Sequence, residues 1–180
     1  MAYYPPPSYK LQQEYAPPTR RYQIREKIFS LGDNFKIKDE AGEPVFTVRS
    51  KIFSIGDKLV LEDMAGNALI KIRQELFHLM PRFTILSAQD DQELATVKKK
   101  LTLLRPKFTI DSIYGSYDLQ GLDILAHAFM IVKDDRVVAN VGKKFFSFTD
   151  SYGVEIAGDQ NHAFIKSLVI VLDQVIYDKN

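Results

Sequence analysis

The ten residues from Lys98 to Lys107 hold Lys98, Lys99, Lys100, Arg105 and Lys107, and not one acid. Cations at that density can hold an anion. Lysine acts as a compact point charge, and arginine as a planar fork that grips phosphate or carboxylate through paired N–H donors. Beside an anionic bilayer leaflet each cation contributes about 1 kcal/mol, so four or five suffice for reversible docking. The whole chain carries a formal charge of only +1 over 180 residues. Electrostatic function must therefore come from local clustering and not from bulk attraction. The competing account is that these cations are the solvated ends of strands.

Catalytic patterns are missing. His78, His127 and His162 lie far apart and show no metal-ligand spacing. No P-loop, G-x-S-x-G or G-x-G-x-x-G occurs. The absence of cysteine removes disulfides, thiolate zinc sites and cysteine nucleophiles, and fits a reducing compartment. Asp90-Asp91 and Asp134-Asp135 are adjacent carboxylates, but each falls in a predicted turn, where solvated turn chemistry accounts for them. The expectation is a protein with no catalytic residues, no metal and no cofactor.

The first 20 residues hold five of the eight prolines and four tyrosines, with no apolar periodicity. Such a segment cannot bury enough surface to offset its ordering entropy, so residues 1–20 are expected to be a disordered tail ahead of a domain over 21–180. Within it, Pro6-Pro7-Ser8-Tyr9 matches the P-P-x-Y pattern that WW domains read, with Pro6, Pro7 and Tyr9 entering an aromatic groove. The tail has no apolar run of signal-peptide type. No stretch reaches the about 20 apolar residues of a membrane span. A cytoplasmic protein, peripheral to a membrane at most, is expected.

From Tyr22 onward short β-branched and aromatic runs alternate with turn signals. Ile28-Phe29-Ser30-Leu31-Gly32-Asp33 returns 24 residues later as Ile52-Phe53-Ser54-Ile55-Gly56-Asp57, and Ala41-Gly42 returns as Ala65-Gly66. Two strands per unit predict a meander of antiparallel hairpins, with Gly42 and Gly66 at positive φ. Another hairpin is predicted to turn at Asp134-Asp135. Turns in such a meander alternate between two ends. The recurring basic junctions (Arg25, Lys27, Arg49, Lys51, Arg73, Lys98, Lys100, Lys143 and Lys144) would then gather at one rim.

The last segment, His162 to Tyr177, has no Gly or Pro and can be capped by Asp159 or Asn161. At about 100° per residue, His162, Lys166, Asp173 and Tyr177 share one narrow stripe, and almost everything else is apolar. A helix apolar nearly all round, yet too short for a bilayer, is a buried helix. A sheet closed around it is the element that could bury it. The polar stripe is expected either to meet solvent or to satisfy itself and the backbone.

"YQIREKIFSLGDNFKIKDEAGEPVFTV", "VKKKLTLLRPKFTI" and the apolar final helix together resemble the LURP-one-related family, of tubby C-terminal-like fold, over residues 21–180. The resemblance implies a closed antiparallel β-barrel of about twelve strands around a buried C-terminal helix, the fold of tubby proteins and phospholipid scramblases. It brings no settled activity. Tubby domains bind phosphoinositides through basic residues, which makes a non-enzymatic binding or adaptor domain for anionic lipid or a protein partner the expected function. Lys98, Lys99, Lys100, Arg105 and Lys107 are its candidate contacts on charge pattern alone. The alternatives are a nucleic-acid-binding or transcription-associated protein, weakened by the neutral net charge, and an enzyme with a site inside the barrel.

Overall fold

A computed structural model of the chain describes residues 18–25, 34–50, 57–75, 79–100, 107–123, 128–142 and 151–177. Twelve strands run in chain order: β1 (Arg20–Arg25), β2 (Phe35–Lys38), β3 (Pro44–Ser50), β4 (Asp57–Asp63), β5 (Ala68–Glu75), β6 (Arg82–Ser87), β7 (Glu93–Lys100), β8 (Lys107–Ser112), β9 (Gly115–Asp123), β10 (Ala128–Lys133), β11 (Arg136–Gly142) and β12 (Ser151–Ile156). One helix follows, α1 (His162–Tyr177). Each strand pairs antiparallel with its chain neighbour, and β1 pairs with β12, so the meander closes into a barrel. Fold class and helix thus match the sequence expectation. Arg20, which composition groups with the tail, is the first residue of β1.

The 24-residue repeat is reproduced bond for bond in two turns. Asp39 Oδ1 accepts the amides of Ala41 and Glu43, and Asp63 Oδ1 accepts those of Ala65 and Asn67. Gly42 and Gly66 stand at φ of 83° and 87°, a conformation that costs other residues about 1 kcal/mol. The Ala-Gly echo is visible in sequence, and the aspartate two residues ahead of it is the carboxylate that fixes the turn. Asp134 and Asp135 both take positive φ between β10 and β11, the geometry of a two-residue hairpin turn. The echoed Ile28–Asp33 segment, and all of the Ile52–Asp57 segment except Asp57, lie outside the described residues.

Alternation decides what faces the helix. Ile24, Ile37, Val48, Leu61, Ile72, Ile85, Val97 and Ile110 point inward from successive strands and are sealed from water. They pack against Phe164, Ile165, Leu168, Val169, Leu172 and Val175 of α1 in one core. Sixteen residues make a helix of about 24 Å, which fits the barrel's axis. Its cap is Asn161, whose Oδ1 accepts the Phe164 amide, while Asp159 turns away to pair with Arg136. The helix has no basic residue in its last turn. The barrel supplies one: Lys99 Nζ donates to the Val175 carbonyl at 3.3 Å, placing a cation at the negative end of the helix dipole.

Candidate functional site

The barrel has two unlike ends. At one end lie the turns β2–β3, β4–β5, β6–β7, β8–β9 and β10–β11 and the start of α1; at the other, the junction end, lie the opposite ends of the strands and the helix C-terminus. The strand ends carrying Arg25, Arg49, Arg73, Lys98 and Lys100 do meet at the junction end. Arg49, however, is paired with Glu62. Lys27, Lys51, Lys143 and Lys144 lie outside the described residues, as do Arg105 and the Pro6, Pro7 and Tyr9 motif.

Strand alternation splits the lysine triplet. Val97 faces the core, so Lys99 points inward, to the helix terminus, and Lys98 and Lys100 point outward. Lys99 is therefore a structural cation and no part of an outer face. The outer face gains a residue that linear reading missed. Arg82 on β6 pairs across from Lys98, and Lys107 on β8 pairs across from Lys100. Arg82, Lys98, Lys100 and Lys107 thus stand together on three neighbouring strands, with Glu75 paired to Arg82 at 3.0 Å. Arg82 could have been found only from the register, since it lies 16 residues before Lys98.

At the opposite end, a cavity of about 670 Å³ opens beside the start of α1, lined chiefly by Arg20, Tyr22, Glu40, Val45, Phe46 and His162. Its position follows from the seam between β1 and β2, where the described residues share a single pair, Gln23 with Lys38. β1 is held by six pairs on its other side. Arg20 and Tyr22 alternate in phase with the core residue Ile24, so both face inward at the mouth. Tyr22 and Phe46 meet edge to face at 6.4 Å, and the Tyr22 hydroxyl lies 2.9 Å from His162 Nδ1.

Behind the two rings, one helical turn below His162, sits Lys166. It is fully buried, and its Nζ has no hydrogen-bond partner. The amine lies 3.5 Å from the Tyr22 ring centre and 3.9 Å from that of Phe46. Burial, aided by the charge of Arg20, pushes its pKa down to about 6. The same causes hold His162 below its ordinary value: burial first, then Lys166 and Arg20. Burial raises Tyr22. Neither expectation for the polar stripe holds at Lys166, which meets no solvent and lies against aromatic faces with no hydrogen bond. Among the described residues, no three His, Cys, Asp or Glu side chains converge as metal ligands. Nor is any described helix long and apolar enough to cross a membrane.

A twelve-stranded antiparallel barrel skewered by its own C-terminal helix defines the class. Residues 20–173 match the model of the LURP-one-related family, and the chain belongs to that family. It is 33% identical over 155 residues to the uncharacterized protein YxjI of Bacillus subtilis (strain 168), covering 86% of this chain and 93% of that one. The X-ray structure of an Arabidopsis thaliana protein superposes with a TM-score of 0.63 at 23% identity, over 90% of this chain and 94% of that chain. That likeness shows the fold.

Proposed function

We propose that the protein is a non-enzymatic binding domain that docks reversibly, from the cytoplasmic side, on a membrane surface bearing anionic phospholipid. The docking face is the outer surface of β6, β7 and β8 at the junction end. One observation carries this reading: Arg82 faces Lys98, and Lys100 faces Lys107, directly across the ladder. Like charges directly opposite one another in a sheet are destabilising. Two such pairs side by side, with Glu75 beside only the first, leave positive potential that an external anion would neutralise. At about 1 kcal/mol per cation the four give weak, salt-sensitive docking, on the order of 4 kcal/mol.

Flotation with vesicles of phosphatidylcholine alone, and with added phosphatidylinositol 4,5-bisphosphate, tests it. The native chain should float only with the anionic vesicles and should release as salt rises, because exposed charges are screened over about 10 Å at 0.1 M. Changing Lys98, Lys100 and Lys107 to Glu should abolish flotation while the melting temperature stays nearly level, since the pair at Arg82 and Lys98 becomes one of opposite charge and the pair at Lys100 and Lys107 stays like-charged with its sign reversed. Flotation that survives the triple change rejects this face. Competition by duplex DNA at equal charge, with no preference for the lipid, would favour the nucleic-acid reading instead.

A further inference from the structure

We propose that the cavity between β1, the β2–β3 turn and the start of α1 is a binding site for a small amphiphile: a monocarboxylate with an aromatic or apolar body, whose carboxylate is met by Arg20 and Lys166. The site lies at the opposite end of the barrel from the basic face and stands independently of it. The volume of about 670 Å³ falls within the range of small-molecule sites, which are mostly apolar with a few placed polar groups.

The strongest observation is Lys166. A fully buried amine with no hydrogen-bond partner is costly, and the core offers many apolar substitutes of similar length. What would satisfy it is an anion arriving from the cavity. Its Nζ lies directly behind the Tyr22 and Phe46 rings, which form the cavity wall. Phe46 is only partly buried, and the assignment requires its side chain to rotate aside for a ligand to reach the amine. Arg20 faces the same space from the first residue of β1, and the Tyr22 hydroxyl adds a polar contact beside it.

The rim narrows the ligand class. Asp39 and Glu40 line the same opening, and each has a carboxylate oxygen holding backbone amides: Asp39 those of Ala41 and Glu43, Glu40 that of Arg21. Arg21 itself pairs with Glu155. These fixed carboxylates repel polyanions such as inositol phosphates and leave one amine deep in the site, which takes up a proton as a carboxylate arrives. The walls supplied by Tyr22, Val45 and Phe46 take the apolar body. A single negative charge on a hydrophobic carrier fits; a polyphosphate does not.

Titration calorimetry with 4-phenylbutyrate, and with 4-phenylbutanamide as its neutral counterpart, tests the assignment. The native chain should bind the acid with one-to-one stoichiometry and the amide at least tenfold more weakly. Lys166→Met conserves length and apolar volume, and Arg20→Gln sits at an exposed position that tolerates change. Each should lower affinity for the acid at least tenfold without changing that for the amide. The variant with Lys98, Lys100 and Lys107 changed to Glu should bind the acid normally, which separates this site from the docking face. No saturable binding by the native chain, equal affinity for acid and amide, or full affinity in both single variants would overturn the proposal.

Discussion

At the scale of single residues, Lys166 is a costly side chain to hold in the core. Between about 6, where it titrates in the folded barrel, and its ordinary 10.5, the unfolded chain binds a proton that the folded chain refuses. Stability therefore rises with pH across that window, by at most about 1.4 kcal/mol per unit. The faces of Tyr22 and Phe46 attract an ammonium and work against this cost without cancelling it. Lys166→Met should accordingly raise the melting temperature at pH 7 by several degrees. The gain should be largest at pH 6 and below, and should shrink steadily towards pH 10. His162, also held below its ordinary value, adds to the loss of native stability on the acid side. Thermal melts of both proteins at pH 6, 7 and 9 decide the matter. A gain independent of pH, or a loss at pH 7, would show that the amine makes an interaction worth more than its desolvation.

Elements show where sequence is legible and where it is not. The hairpins at Gly42, Gly66 and Asp134-Asp135 follow from turn chemistry that is local, and they stand where the pattern puts them. The helix is equally plain, because an apolar circumference has only one home in a protein of this size. What is not legible is register. Lys98, Lys99 and Lys100 look like one patch in the sequence, yet a period of two sends the middle one to the helix C-terminus and the outer two to the surface. The partners that complete each site, Arg82 for Lys98 and Phe46 for Lys166, come from other strands, and no periodicity announces them. Ile170 tests the helix itself, since it is sealed at the helix centre. Ile170→Asp should abolish soluble folding, because an unpaired carboxylate there costs several kcal/mol, comparable to the stability of a whole domain. A soluble variant with a native melting temperature would place the helix on the surface.

For the molecule as a whole, closure is the decisive event. β1 and β12 pair from Arg20 with Ile156 to Arg25 with Ser151, joining residues at opposite ends of the chain. Loop closure over that distance must be achieved before its hydrogen bonds return anything, so the last seam forms late and folding should be slow. The helix follows immediately after β12, and its apolar face has no shelter until the wall is complete. Conversely, the inward side chains of the strands have nothing else to pack against. Neither part should persist without the other. The far-UV signal of α1 and the near-UV signal of the tyrosines should therefore disappear in one transition with a common midpoint; Tyr22, Tyr117 and Tyr152 are buried in the wall, and the chain has no tryptophan to mask them. Refolding should likewise restore both signals at one rate. Helix signal outlasting the tyrosine signal, by several degrees or by a separate kinetic phase, would mean that α1 is stable outside the barrel and that the two are assembled from independent parts.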